Sequence, residues 1–286
     1  MTATETSRHH AAAGPGTGTI PIRRPPHALS RSIPRHWYGG QAFATHFLDA
    51  LSSTFPDGEA FFVRSVHHYR DRVDDAELAE AIRCFSGQEG QHRRVHADHV
   101  QLLVDQGYAG LVPMNRILDR MMRWFNRRMP ALALAITASV EHLTALLARK
   151  VLANDAALLR PMHPEMAGLW RWHALEEAEH KSVAFDVMER HGPGHATRVA
   201  AQLLSTTLLA LEVVVRLLYM LWKDRLLFDA RTWKDGRRFL FASGGLLRGG
   251  AGHYIAWYRR GFHPDDIDDA ALVDETRPIV DAALLR

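Results

Sequence analysis

The sequence contains a single cysteine, Cys84, among its 286 residues, so an internal disulfide cannot form. Such cysteine usage is typical of the reducing cytoplasm, and we expect a cytoplasmic location. Charge of one sign is not concentrated either: the formal net charge is +3 and no dense block of lysine or arginine occurs. We therefore expect no nucleic-acid partner. The hydrophobic content of 47% is sufficient for a substantial core.

Secretory, strand and common hydrolase signals are scarce as well. Residues 1–38 are rich in Ala, Gly, Thr and Pro and hold no apolar run of secretory length, which predicts a disordered or loosely draped tail. Beyond Gly40, clusters of β-branched residues bounded by tight turns do not recur. Neither a nucleophile elbow around a serine nor a His-Glu-x-x-His zinc motif is found.

The apolar pattern from Gly40 onward is helical. We predict helices near residues 41–53, 57–72, 75–106, 113–127, 129–153 and 163–191, separated where proline or glycine interrupts the period. The fold class predicted is all-α. Its parts are a helical bundle over 39–195, preceded by the tail, and a C-terminal helical extension over 196–286.

One short stretch combines apolar and ionisable residues in an unusual way: "WHALEEAEHKSVAFD", residues 172–186. On a helix, the side chains of His173, Glu176, Glu177 and His180 share one stripe, whereas Glu179 points away and is predicted to be solvated. If the stripe faces the core, its charge must be neutralised, because an unpaired buried carboxylate is costly. A bound metal would neutralise it.

A second stretch, "FSGQEGQHRRVHAD" at 85–98, aligns with the first and repeats its Glu-x-x-His motif. Glu89 and His92 stand opposite Glu177 and His180. Because the chain has 18 histidines, about one such pair is expected by chance, and the motif alone decides little.

Two isolated glutamates complete an ordered set. Glu141 follows the apolar run "ALALAITASV", where a carboxylate has few ways to reach water. Glu59 precedes Phe61 and Phe62, although a glutamate near a helix start can also simply favour the helix dipole. A glutamate from each of two helices plus a Glu-x-x-His from each of two others is how helical bundles build a dinuclear carboxylate site.

The segments "FPDGEAFF", "QEGQH" and "WHALEEAEHKSVAFDV" resemble ferritin-like di-iron carboxylate proteins, and in particular the family known as predicted metal-dependent hydrolases. The resemblance covers roughly residues 30–265. It implies a ferritin-like four-helix bundle that binds two Fe ions, and Mn or a mixed Mn/Fe pair would suit the same donors. The six implied ligands are Glu59, Glu89, His92, Glu141, Glu177 and His180.

The resemblance also implies roles for these residues and their neighbours. Glu89 and Glu177 would bridge the metals, Glu59 and Glu141 would cap or bridge them, and His92 and His180 would each hold one metal. The residue before each motif glutamate would support the histidine of the other helix, which assigns Glu176 to His92 and Gln88 to His180.

His173 lies on the same stripe as the implied ligands, and three roles stay open for it: a third histidine ligand, a proton donor, or a histidine paired with a carboxylate. With Glu176, it is the candidate for a catalytic role beside the metals.

Residues 198–228 form a long apolar stretch in which Glu212 and Arg216 are the charges between Val199 and Trp222. The stretch could span a bilayer by length, but two charges near its middle are costly in lipid. Because these charges are four residues apart, they can pair on a helix. We expect a helix laid against the bundle or dipping into a membrane surface.

Three function classes agree with these observations. The favoured one is an oxidase or oxygenase in which a di-iron centre activates O₂ for a small apolar, acyl or lipid-like substrate, with electrons from an unidentified donor. The second is a hydrolase that uses a metal-bound water, and the third is a non-catalytic iron- or manganese-binding protein. A homodimer is compatible with each of them.

Overall fold

The computed structural model describes residues 20–25 and 29–284, and within them the chain is all-α apart from one isolated bridge between Tyr38 and Met162. In chain order, the α-helices of this part are α1 Ala42–His67, α2 Ala76–Asp105, α3 Leu111–Arg128, α4 Pro130–Ala153, α5 Asp155–Leu158, α6 Pro164–His180, α7 Val183–His191, α8 His195–Lys223, α9 Ala230–Phe241, α10 Ala251–Ala256 and α11 Ala270–Leu284. The predicted all-α fold class is confirmed.

Four helices enclose the centre of the molecule. α1 packs along α2, α4 packs along α6, and further contacts join α1 to α4 and α2 to α6. α3 and α8 cover α1 from outside, and α8 also packs on α4. The polar stripes of α1, α2, α4 and α6 therefore face one another across a shared interior.

The prediction of two helices over 41–53 and 57–72 is wrong, because α1 runs through Pro56 without a break. Proline lacks the N–H that would bond four residues back, which is why a break was expected. Next to this proline, the hydroxyl of Ser53 donates to the carbonyl of Ala50, and that of Thr54 donates to Leu51. Burial of Phe55 on the same turn adds packing that holds the helix together.

The single helix predicted over 163–191 is also wrong, since α6 ends at His180 and α7 begins at Val183. Lys181 lies between them with its side chain buried. Its ammonium group donates to the carbonyl of Ile267 and, at 2.8 Å, to the carboxylate of Asp269. The C-terminal part of the chain thus fixes the turn that closes α6.

Residues 1–19 and 26–28 of the predicted tail lie outside the described residues. The described remainder packs on the bundle: Ile33, Trp37 and Tyr38 are buried, and so is Arg23. The limits of the three predicted segments, at 38 and 195, stay predictions.

Within the described residues, two helices could cross a membrane by length and composition, Pro130–Ala153 and His195–Lys223. The apolar window of the first is 67% buried inside the protein and that of the second only 28%, so α4 is a core helix whereas α8 keeps an open apolar face. Arg216 of α8 is completely buried and contacts Glu212, Asn115 and Ser53.

Candidate metal centre

The six predicted ligands come together between the four central helices. α1 supplies Glu59, α2 supplies one Glu-x-x-His pair, α4 supplies Glu141, and α6 supplies the second pair. All six residues are at most 4% exposed. Helical spacing places each glutamate and the histidine three residues later on one face, so that both side chains of a pair reach the same space.

Two triads share one glutamate. Single ligand atoms of Glu59, Glu89 and His92 lie within 4.8 Å of one another, and so do those of Glu89, Glu141 and His180. The shared residue is Glu89, which therefore stands between the triads.

Glu177 also spans the two triads. Its Oε1 lies 3.7 Å from Nδ1 of His92, and its Oε2 lies 3.8 Å from Nε2 of His180. Glu89 and Glu177 thus occupy the positions that two bridging carboxylates would need, with Glu59 at one end of the cluster and Glu141 at the other.

The cluster contains nine buried side-chain atoms that have no hydrogen-bond partner among the described residues. They are both carboxylate oxygens of Glu59, Glu89 and Glu141, Oε2 of Glu177, Nδ1 of His92 and Nε2 of His180. Buried polar atoms are normally paired, and leaving them unpaired is costly. Oxygen and nitrogen donors that converge in this way fit divalent metal ions.

The two candidate histidine ligands are contacted, on the side away from the cluster, by the two residues that the family resemblance implied. Nε2 of His92 is 3.0 Å from Oε2 of Glu176, and Nδ1 of His180 is 2.8 Å from Oε1 of Gln88. Each backing contact occupies one ring nitrogen and leaves the other facing the cluster. His92 therefore presents Nδ1, whereas His180 presents Nε2.

Proton affinities at the cluster follow from burial and crowding of like charge. Burial, with the charge of Glu177 adding to it, raises the pKa of Glu141 to about 8. Burial and the neighbouring Glu89 likewise raise the pKa of Glu59 well above its ordinary value. For His180, burial opposes protonation, but the nearby carboxylates of Glu141, Glu177 and Glu89 outweigh it and raise the pKa to about 9. The metal-free site consequently holds protons at neutral pH.

Glu179 was predicted to be solvated, and this is wrong. Its side chain is 4% exposed and contacts the guanidinium groups of Arg23, at 2.7 Å, and Arg277, at 3.1 Å. The Arg23 guanidinium also approaches Glu176, at 3.4 Å, and Asp281, at 2.7 Å. Arg23 comes from the segment predicted as a tail, so helix periodicity within α6 could not reveal that this face is covered.

His173 lies at the edge of the cluster. Its Nε2 is 2.9 Å from Oε1 of Glu177, its ring stacks on that of His92 at 4.3 Å between centroids, and its Nδ1 is 2.6 Å from Nε2 of His96. Both ring nitrogens thus have a neighbour in the protein. His173 is paired with a carboxylate and also belongs to a possible ligand group with His92 and Glu177, so its three roles stay open.

One residue outside the predicted set, His96, also approaches the cluster: single ligand atoms of Glu59, His96 and His173 lie within 4.8 Å of one another. His96 and His99 follow His92 at positions i+4 and i+7, so the three histidines share one face of α2. This spacing from His92 was the sequence signal that could have identified His96. His142, next to Glu141, points elsewhere: it stacks on Trp257 at 4.8 Å.

The family comparison agrees with this geometry. A family model described as predicted metal-dependent hydrolase matches residues 21–268. The chain belongs to this family. The match extends over α1 to α10, so it includes all six candidate ligands and also Arg23. No curated protein and no solved structure matches the chain. Its relation to ferritin-like proteins stays a prediction.

Proposed function

We propose that the six-residue cluster holds two metal ions and that the protein is a dinuclear metal enzyme. The observation that carries the proposal is the convergence, from four helices, of nine buried oxygen and nitrogen atoms that make no hydrogen bond within the described residues. Four carboxylates balance two divalent cations. The absence of sulfur from this set favours iron or manganese over the thiolate-rich sites of structural zinc, and iron is the metal we expect.

Hydrolysis is the reaction class that the family description supports. Metal ions bound at the cluster would supply Lewis acidity, which polarises a carbonyl or ester group and acidifies water. The protein's own contribution is orientation: Glu176 and Gln88 fix the rings of His92 and His180. At the edge of the cluster, Nε2 of His173 contacts Oε1 of Glu177 and helps to fix the orientation of this carboxylate.

Oxidation or oxygenation with O₂ is the second candidate, favoured by the donor set and its burial. Four glutamates and two histidines on four helices form the ligand pattern of di-iron and di-manganese carboxylate proteins. Because the six residues are at most 4% exposed, a diatomic molecule can reach them with less rearrangement than a bulky hydrolysable substrate. The substrate in this case would be small and apolar, acyl or lipid-like, and the electron donor is a separate component.

The test begins with metal analysis of protein grown with iron. We expect about two metal ions per chain, and a content near one that persists after reconstitution with ferrous iron would reject the dinuclear site. Glu141→Ala should lose one metal, whereas the matched variant Glu77→Ala, at an exposed position of α2, should keep both.

Two further assays separate the reaction classes. Stopped-flow absorption after mixing the ferrous protein with O₂ should show a ferric product if the protein activates O₂, and Glu141→Ala should abolish this coupled two-iron oxidation. A screen of esters and phosphoesters should instead reveal turnover by a hydrolase, part of which Glu141→Ala retains on one metal. Metal binding without either reaction would support the non-catalytic alternative.

We further propose that the outward face of α8 contacts a membrane surface from the cytoplasmic side. Several of its apolar side chains face solvent, whereas the charged side chain of Arg216 is buried. An ordinary surface helix has the opposite arrangement, with apolar residues inside and charged residues outside. The exposed members of this face are Leu203, Leu211, Val214, Val215, Leu218 and Trp222. Burial of the same face in a homodimer is the alternative that the test must separate.

A further inference from the structure

A continuous run of polar side chains leaves the metal cluster through the core. It starts at His173, beside Glu177, and passes to His96, whose Nε2 is 2.6 Å from Nδ1 of His173. The hydroxyl oxygen of Ser52 then lies 2.7 Å from Nδ1 of His96 and 2.7 Å from Nδ1 of His99. A single hydroxyl thus joins two imidazoles on α2.

The run continues toward the surface. Nε2 of His99 lies 3.1 Å from Oδ1 of Asp49, a charge contact rather than a hydrogen bond in this structure, and Oδ2 of Asp49 is 3.2 Å from Nδ1 of His46. Nε2 of His46 is 2.8 Å from Oδ2 of Asp224, and the same oxygen is 2.7 Å from Nε2 of His36. The side chain of His36 is 28% exposed, so the run ends in water.

Other groups surround the outer end. Trp37 donates its indole N–H to Oδ1 of Asp49 at 2.8 Å, and the hydroxyl of Tyr108 donates to Asp224 at 2.8 Å. The guanidinium of Arg35 donates to the second oxygen of Asp224 at 2.9 Å. These contacts fix both carboxylates in place. Arg35 also makes this end a poor site for a further metal, because it brings a positive charge to the same carboxylate.

The buried members of this run are costly unless they serve a purpose beyond packing. Ser52, His96, His99, Asp49 and His46 are all 0% exposed and come from two different helices. Apolar residues of similar volume would fill the same space without desolvating polar groups. Each member can instead accept a proton on one atom and release one from another, as imidazoles, hydroxyls and carboxylates do.

We propose that this relay, defined as His173, His96, Ser52, His99, Asp49, His46, Asp224 and His36, carries protons between the metal cluster and solvent. Each transfer breaks one N–H or O–H bond and forms another, so one net proton moves and no oxidant or reductant is required. The inference rests on the proposed function. It applies to either reaction class, because both change the proton count at a centre that is almost fully buried.

The experiment is a pH jump on the full chain loaded with Co(II), whose visible absorption reports the protonation state at the centre. In stopped flow, the absorption of the wild-type protein should follow the jump within the mixing time. Ser52→Ala, which removes the hydroxyl that joins two imidazoles, should slow this relaxation by about 100-fold.

Matched variants make the result specific. Ser52→Thr keeps a hydroxyl and should restore fast relaxation. Ser53→Ala removes the neighbouring, equally buried hydroxyl, which donates to Ala50 and lies outside the relay, and it should relax like the wild type. A merely structural role for Ser52 would change thermal stability without separating Ser52→Ala from Ser53→Ala in relaxation rate.

The surface end gives an independent measurement should Ser52→Ala fail to fold. His36→Ala should slow the relaxation, and imidazole added to the buffer should restore it. Fast relaxation of folded, Co(II)-loaded Ser52→Ala or of His36→Ala would overturn the relay alone. Failure of the wild-type protein to bind Co(II) would instead overturn the proposed metal centre.

Discussion

At the scale of single residues, the side chains that contact the candidate histidine ligands determine which ring nitrogens face the cluster. Glu176 occupies Nε2 of His92, and Gln88 occupies Nδ1 of His180. The two halves of the cluster resemble each other in sequence but differ in the ring nitrogen that they present. They also differ in charge, because one histidine is backed by a carboxylate and the other by an amide. We therefore expect the two metals to bind with unequal affinity.

Glu176→Gln tests the backing contact without changing side-chain size. Loss of the carboxylate charge makes His92 a less basic ligand, so affinity for one of the two metals should fall by about 10–100-fold. Isothermal titration with Mn(II) or Fe(II) under anaerobic conditions measures it. Glu165→Gln, near the start of the same helix and far from the cluster in sequence, is the control. Two unchanged affinities in Glu176→Gln would show that Glu176 does not support a ligand.

Metal affinity should rise with pH. His180 has a pKa of about 9 in the metal-free protein, because neighbouring carboxylates outweigh the opposing effect of burial. A metal must displace this proton, so between pH 6 and 8 the affinity should increase by about tenfold per pH unit for each proton released, and the gain should level off above the pKa. Titrations at three pH values in one non-coordinating buffer series measure the slope. A flat profile over that interval would contradict the raised pKa.

At the scale of elements, α8 differs from an ordinary surface helix in the direction of its polarity. Its buried arginine reaches across to α1 and α3, where it contacts Ser53 and Asn115. Its outward apolar side chains, such as Leu211 and Trp222, are 56% and 61% exposed. Arg216, one of the two charges expected to oppose a membrane span, thus points into the protein and pairs with the other, Glu212. The apolar face is left for lipid or for a partner.

Liposome flotation tests this face. We expect the wild-type protein to float with vesicles, since the exposed apolar side chains of α8 can insert at the membrane surface. Leu211→Glu combined with Val215→Glu should abolish flotation, while Ile279→Glu, on an exposed position of α11, should not. If the wild-type protein stays at the bottom of the gradient and is dimeric by light scattering, and the double variant is monomeric, the face is a homodimer interface.

At the scale of the whole molecule, an N-terminal segment around Arg23 and the C-terminal helix α11 meet on α6, which carries the second Glu-x-x-His pair. Arg23 links Glu176 and Glu179 of α6 to Asp281 of α11, and Arg277 joins the same Glu179. The carboxylate that supports His92 is therefore itself held by a residue 153 positions away in the sequence. Folding of the centre and docking of the N-terminal segment should be coupled.

Arg23→Ala should destabilise the protein substantially. Removing one partner of a buried ion pair leaves the other charge uncompensated, and we expect a loss of about 3 kcal/mol in the free energy of unfolding, at the lower end of the usual range because Arg277 still contacts Glu179. Urea denaturation followed by circular dichroism measures it. Arg24→Ala, at the exposed neighbouring position, should change stability by less than about 0.5 kcal/mol. Equal stability of the two variants would contradict the coupling.

The sequence by itself determined the fold class, the positions of α2, α3 and α4, and the composition of the candidate ligand set. Helical periodicity is local, so Glu-x-x-His places a carboxylate and an imidazole on one face wherever the helix lies. The apolar run before Glu141 indicated burial for a similar reason, because its neighbours along the same helix leave it little access to water. The ligand set could be predicted from such local facts, together with a family resemblance that the family model bears out.

Only the tertiary structure decided which faces are covered and which contacts cross between helices. α1 continues through Pro56 because the turns on both sides of this proline are packed in the core. Glu179 is buried because Arg23 and Arg277 arrive from opposite ends of the chain. The relay combines side chains from α1, α2 and α6 with Asp224 at the end of α8 and His36 from the segment before α1. Periodicity tells which residues share a face, but burial of that face depends on the docking of distant segments.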